Sequence, residues 1–237
     1  MRLLRRLMQH NVSIQIQPRR KRIGLYVVNQ QIIIKTPRKL RKSYVEALLI
    51  RNQKFLSKAL SQAYPIYKYI SGELFYLRGN IYQLKVILNG CNEVQLKDDF
   101  LQVTQTEISS QLSHQLILQF YSKQANTWLE HKYQQWQQLT QLQPSGLSVK
   151  NYKSRFGSCD RQGHISLNWR LILAPDWVID YVIIHELCHL IEFNHSPKFW
   201  QLVCKYHPDY LKAKKWLKEH TALLMHTIIW PAGKREV

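Results

Sequence analysis

His185-Glu186-Leu187-Cys188-His189, with His195 six residues beyond, constrains this chain more than any other stretch. On an α-helix, residues four apart differ by about 40° in direction and about 6 Å in rise, so His185 and His189 can share one metal ion. Glu186 stands beside that pair, where its carboxylate can reach a water on the ion. Two imidazoles, a third ligand beyond the helix and an adjacent carboxylate describe an open tetrahedral zinc site, with water in the fourth position. Zinc lowers the pKa of such a water from about 16 to about 7, and Glu186 can take its proton as it attacks a peptide carbonyl. The donor set points to amide hydrolysis. With the chain's His and Glu placed at random, the pattern with His195 included would arise roughly once in a thousand such chains.

The surroundings agree with the motif. From Val178 to Phe193 the segment reads VIDYVIIHELCHLIEF, apolar nearly all round, which predicts a buried helix. Pro175 suits its first turn, and Asp176 and Asp180 favour the positive end of its dipole. A buried helix has little reason to carry two His and a Glu unless something satisfies them. His195 would lie about 80° off the His185 face and about 15 Å up the axis if the helix simply continued, so the chain must turn back. Asn194 is predicted as a left-handed C-cap, Ser196 to begin a turn, and Pro197 to oppose continuation. Metzincins use the same spacing with Gly at the seventh position, where this chain has Glu192, so the turn differs from theirs. Glu219, thirty residues after His189, is the rival third ligand. Glu192 projects roughly along the His185 and His189 face, towards ligands or substrate. Cys188 is expected to pack in the core.

Further stretches carry a resemblance. They are Lys153-Ser154-Arg155-Phe156-Gly157-Ser158-Cys159, Ile165-Ser166-Leu167-Asn168-Trp169-Arg170-Leu171, Val182 to Leu190, Asn194-His195-Ser196-Pro197-Lys198-Phe199-Trp200, and Pro208-Asp209-Tyr210. With these, residues 151–220 resemble the YgjP-like metallopeptidases, a group related to the zincin fold and more distantly to the SprT and Spartan-type proteases. Weaker similarity extends upstream over most of the chain. The resemblance implies that His185, His189 and His195 bind one Zn²⁺ per chain, that Glu186 is the catalytic base, and that the substrate is polypeptide. Phe156 departs from the pattern, which usually has Trp there, and keeps an apolar aromatic.

His164 to Leu173 reads HISLNWRLIL, and its period of two predicts a half-buried strand just before the active-site helix. In zincins such a strand often lies along the cleft, so an extended substrate could pair with its edge, with Asn168 and Arg170 as substrate-binding residues. Phe199 and Trp200 are expected to begin a helix packing under the metal site. Tyr206, His207 and Tyr210 include oxyanion donors among which the sequence does not choose.

Charge is the second feature with content. Of the formal +19, the first sixty residues carry +14, from fifteen Lys and Arg against Glu46 alone. Such a field attracts polyanions in a salt-dependent way. Arg19, Arg20, Lys21 and Arg22, with Tyr26 nearby, are candidate nucleic-acid contacts. A nucleic-acid-associated protease acting on DNA-bound proteins, and a nucleic-acid-binding module with a non-catalytic metal, are therefore alternatives to a general peptidase. Cys91, Cys159, Cys188 and Cys204 form no CxxC pair, and the basic start MRLLRRLMQHNV lacks the apolar run of a secretory signal, so thiols in a reducing cytoplasm are expected. No membrane partner is expected, and the oligomeric state is open.

Along the chain, 12–36 read as a hairpin-like strand pair turning at Asn29-Gln30, and Ser43 to Leu60 as one helix capped by Ser43. Strands are predicted at Leu74 to Leu77, Tyr82 to Leu88, Phe100 to Val103 and Val149 to Lys153, with a long Gln-rich helix over 107–141. The expectation is an α+β chain: a basic β-rich N-terminal subdomain over 1–105, then a zincin-like helical catalytic half with a short sheet over 106–237.

Overall fold

The computed structural model describes residues 12–28, 31–61 and 67–226. It is α+β and divides into two compact units, Met1–Ile66 and Tyr67–Val237. In the first unit β1 (Val12–Ile16), β2 (Gly24–Val28) and β3 (Gln31–Thr36) form one sheet, with β3 central, parallel to β1 and antiparallel to β2. The expected strand pair therefore gains a third member, and Asn29-Gln30 lie outside the described residues. Alternation on β3 decides the faces: Ile32 and Ile34 are buried with Leu49 and Leu56 of two helices, while Ile33 lies opposite Tyr26 on the other face. Those helices are α1 (Lys42–Arg51) and α2 (Gln53–Ser61). A single helix was predicted here, but Asn52 breaks it: its side-chain Nδ2 donates to the Leu48 carbonyl at 2.8 Å, competing with the helical ladder. The N-cap of α1 is Arg41, which makes no side-chain capping bond, and Ser43 lies inside the first turn.

The second unit opens with β4 (Leu74–Leu77), β5 (Asn80–Leu88), β6 (Glu93–Lys97) and β7 (Phe100–Gln105), in the order β4-β5-β7-β6. β6 escapes a hydrophobic reading because it is a mostly exposed edge strand. The following helix α3 (Ser110–Thr140) begins at Ser109, whose hydroxyl accepts from the Leu112 N–H at 3.3 Å. Ile117, Tyr121, Ala125, Leu129 and Tyr133, each four residues on, form its buried stripe. That stripe shares one core with Phe75, Leu77, Leu84, Leu101 and Val103 of the sheet. The units consequently divide before the sheet, near residue 66, whereas the sequence placed the division after residue 105.

Beyond α3 lie β8 (Gly146–Lys150), β9 (Gly157–Cys159) and β10 (His164–Asn168), ordered β8-β10-β9. Period two does not continue to Leu173. Asn168 ends the strand, its side-chain oxygen accepting from the Arg170 N–H at 3.2 Å, and Trp169–Leu173 coil into a wholly buried 3₁₀ turn. Helices α4 (Asp176–Cys188), α5 (Pro197–Tyr206) and α6 (Tyr210–His226) complete the unit. Among the described residues no helix is long and apolar enough to cross a membrane.

Polar contacts set the position of α4. Trp128, Lys132 and Trp136 share one face of α3. Trp128 Nε1 donates to Asp176 at 2.9 Å, Trp136 Nε1 to Asp180 at 2.7 Å, and Lys132 pairs with Asp180 at 2.9 Å. Arg78 adds a forked contact to Asp176, at 3.1 and 2.5 Å, and its guanidinium lies 3.4 Å from the Trp128 ring centre. Arg78 and Gly79 both have positive φ, at 50° and 79°, as a two-residue hairpin turn requires. Their N–H groups donate to the Ile172 and Leu173 carbonyls, and a Cβ on Gly79 would meet Pro175 at 2.8 Å. The hairpin tip thus clamps the start of α4.

Burial works against ionisation of Asp176, but the Arg78 and Trp128 hydrogen bonds outweigh it and hold its pKa below the usual carboxylate value. A carboxylate with a depressed folded pKa stabilises the fold fully above its unfolded pKa of about 4, and that contribution fades as the pH falls through the folded value. Asp176→Asn is expected to cost about 1 kcal/mol at pH 7, solvent screening included. Chemical denaturation should show the gap to the parent chain closing below about pH 4.

Candidate metal centre

α4 has no polar face. Val178, Ile179, Val182, Ile183, Ile184, Leu187 and Cys188 are all buried, so its His and Glu lie inside protein rather than on a surface. The helix ends sooner than its hydrophobicity predicts. His189 is the C-cap, and the Leu190 and Ile191 N–H groups bond back to Leu187 and Cys188 in a tightened turn. Asn194 has no left-handed φ, whereas four other non-glycine residues among those described do. The chain instead passes through 192–195 to Ser196, whose hydroxyl caps α5 by accepting from the Phe199 N–H at 3.3 Å, with Pro197 at the first helical position. This short return brings His195 back over the end of α4.

The outcome is a triangle of imidazoles. The ring centres of His185, His189 and His195 are each 4.9 Å from the other two. One ligand nitrogen from each lies within 4.8 Å of the others. Four-coordinate zinc with bonds near 2.05 Å places its ligand atoms about 3.3 Å apart, so the cluster is of the right size to close on one ion. His189 Nδ1 lies 3.0 Å from the Glu192 carbonyl, which suits an N–H donor and leaves Nε2 as the lone pair facing the cluster. His195 Nε2 and His185 Nε2 are 3.0 Å apart. Burial, then the neighbouring His189 and His195, depress the His185 pKa to about 3, and burial lowers that of His189 as well. Neutral imidazoles are the form that a metal ion needs.

Phe199 forms the floor of the triangle, fully buried, with its ring centre 4.9, 4.6 and 4.9 Å from those of His185, His189 and His195. Trp200 stacks on His195 at 5.6 Å and on Tyr210 at 5.3 Å, which props up the one exposed histidine of the three. Glu186 is 6% exposed, and burial raises its pKa to about 8, opposed by the charge of Arg155.

The sequence profile of the YgjP-like metallopeptidase domain matches residues 21–220. The chain belongs to that family. A metallopeptidase family implies a catalytic metal and a polypeptide substrate, and the histidine cluster could hold such an ion. The crystal structure of the metallopeptidase zymogen of Pyrococcus abyssi abylysin is 22% identical, covering 43% of this chain and 99% of that one, at a TM-score of 0.36. No curated protein matches the chain.

The structure of this YgjP-like chain gathers some of the expected site residues and disperses others. Glu219 is exposed on α6 and lies outside the His185, His189 and His195 group. Glu192 offers its backbone carbonyl to His189. Asn168 and Arg170, expected on a substrate-facing edge, are 0% and 7% exposed. β10 is the centre of its sheet, with both edges paired. Asn168 Nδ2 donates to the Tyr152 and Arg155 carbonyls at 3.0 and 2.8 Å, and the Arg170 guanidinium bonds Asn151. The sheet's outer edge next to α4 belongs to β9. His207 Nε2 is 2.9 Å from the Trp177 carbonyl at the far end of α4, and Tyr206 points to the Thr140 carbonyl. Tyr210 approaches the site through Trp200, and His207 through Tyr181, whose ring centre is 6.0 Å from that of His207 and 5.8 Å from that of His185.

Gly157 has a role that its neighbours in the sequence do not announce. A Cβ there would lie 2.6 Å from Glu186 Oε1 and 2.8 Å from its Cγ, closer than packed atoms tolerate. The absent side chain is the space in which Glu186 sits. Gly157→Ala should push the carboxylate aside, so that peptide cleavage falls at least about tenfold while the content of bound metal is unchanged. Parallel metal analysis and steady-state kinetics check this.

Proposed function

We propose that this chain is a zinc-dependent peptidase in which His185, His189 and His195 hold one Zn²⁺ and Glu186 is the general base. The observation that carries the reading is the convergence of three imidazole nitrogens within 4.8 Å, with the buried Glu186 next in the chain to His185. Three neutral nitrogen ligands suit zinc, and they leave a fourth position open. The ion, when bound, supplies Lewis acidity to the substrate carbonyl and makes water a nucleophile near neutral pH. The remaining steps belong to the chain. Glu186, in its carboxylate form, takes a proton from the attacking water and passes it to the leaving amine nitrogen, and burial, which raises its pKa, strengthens it as a base. Phe199 and Trp200 hold the imidazoles in place, and Gly157 leaves the carboxylate its room.

Glu186→Gln is expected to lower cleavage of a mixed peptide pool by at least about a hundredfold with zinc content unchanged. His195→Ala should lose both zinc and cleavage. Undiminished cleavage by Glu186→Gln would overturn the assignment.

The first unit supports a second role, binding of nucleic acid. Arg19, Lys21, Arg22, Arg38, Lys39, Arg41 and Lys42 are exposed there, with Glu46 the sole acidic residue of 1–66. Arg20 is partly engaged, donating to the Tyr26 hydroxyl at 2.9 Å. If these cations contact phosphates, affinity for single-stranded DNA should drop at least about tenfold between 50 and 200 mM salt. Replacing Arg19, Lys21 and Arg22 by Glu should weaken it further. Affinity indifferent to both would rule this role out, and cleavage with and without DNA would show whether the two roles are linked.

A further inference from the structure

Two cations flank the histidine cluster without a structural task of their own. On the β9 side, the Arg155 carbonyl is fixed by Asn168 Nδ2 at 2.8 Å, two residues before the Gly157 against which Glu186 packs. Its side chain is exposed, with the guanidinium 5.5 Å from the Tyr152 ring centre. On the α6 side, Lys214 Nζ lies 4.2 Å from the ring centre of Trp200. That same indole is 5.6 Å from His195 and 5.8 Å from His185. Lys214 is exposed as well. Among the described residues neither cation has a carboxylate partner, in contrast to Arg78, Lys132 and Lys212.

Two of the nearby acids are committed elsewhere, while Glu192, between His189 and His195, engages the site through its backbone carbonyl. Asp160 accepts from the Gln162 and His164 N–H groups in the β9–β10 turn. Asp209 pairs with Lys212. Glu186 is buried in the site itself.

We propose that the site selects polypeptides carrying carboxylates close to the scissile bond, one met by Arg155 on the β9 side and one by Lys214 on the α6 side. This rests on the peptidase reading above and names the substrate class within it. The two groups suit that task differently. Arginine offers a planar fork that matches a carboxylate in two hydrogen bonds, whereas Lys214 is a point charge held over an aromatic face. Both also repel Lys and Arg of a competing substrate, so discrimination arises from attraction and repulsion together.

The test uses the zinc-loaded full chain and one neutral peptide, whose cleaved bond is first located by mass spectrometry. Versions then carry Glu, Gln or Lys on each side of that bond, with a free or an amidated C-terminus, and a control carries Glu far from it. The expected kcat/KM is about tenfold higher for the Glu peptide than for the Gln peptide, with no gain from distant Glu. Arg155→Gln and Lys214→Gln should each remove about threefold of that preference, and the double variant nearly all of it. Lys214→Glu should favour the Lys peptide. A gain that survives amidation assigns the carboxylates to Asp and Glu side chains; one lost on amidation assigns Lys214 or Arg155 to the peptide's own C-terminus. Equal rates for Glu and Gln peptides, or a preference untouched in the double variant, would overturn the proposal. Peptide binding to zinc-loaded Glu186→Gln, read by fluorescence anisotropy, separates the two levels. If nothing is cleaved, the peptidase reading fails, and equal affinity for the Glu and Gln peptides would overturn this inference as well.

Discussion

Everything in the second unit answers to the burial of one helix. α4 is apolar on all sides, so it exists only where other elements surround it, and α3, α5, α6, β9 and β10 all contact it. Burying a helix so completely leaves nowhere to place a polar group cheaply. The exceptions are therefore confined to its two ends. At the start, Asp176 and Asp180 are answered by Arg78, Trp128, Lys132 and Trp136. At the other end, His185 and His189 face each other, His195 and the aromatic floor, and Glu186 fills the space that Gly157 leaves. The desolvation that would penalise these groups elsewhere keeps the imidazoles neutral and the carboxylate receptive to a proton.

His185 and His189 come together as their spacing on one helix predicts, whereas Ser196 and Pro197, expected to begin a turn and to oppose continuation, cap and open a new helix. What could not be read depends on contacts distant along the chain. Asn168 and Arg170 alternate like residues of a half-exposed strand. A 3₁₀ turn and hydrogen bonds to residues 151–155 bury both, and nothing in their own neighbourhood announces this. The edge position fell to β9, only three residues long and too short for periodicity to reveal. Gly157 matters through what it lacks, and the neighbour that needs the space is twenty-nine residues away. The sheet of 74–105 was grouped with the basic strands before it, since composition records charge and not which core a strand shares.

The chain's charge has two scales. The excess in the first unit is large and spread over exposed side chains, a property that steers polyanions without specifying them. Around the histidine cluster two cations have rigid supports: Arg155 on a backbone pinned by Asn168, and Lys214 on an indole that also stacks on His195. Overall net charge is thus a poor guide to what the cluster itself would favour.

The contacts between α3 and α4 recur at the helical repeat on both partners, with tryptophan or lysine every fourth residue facing aspartates four apart. Such a pattern works as a vernier. A slide of α4 by one turn, about 5.4 Å, would carry one aspartate to its neighbour's partner but strand the other and pull Pro175 away from the hairpin tip. Intermediate positions satisfy neither carboxylate. The helix consequently has one seat, and the placement of His185 and His189 along the axis is decided at its opposite end, by residues that never approach the histidines.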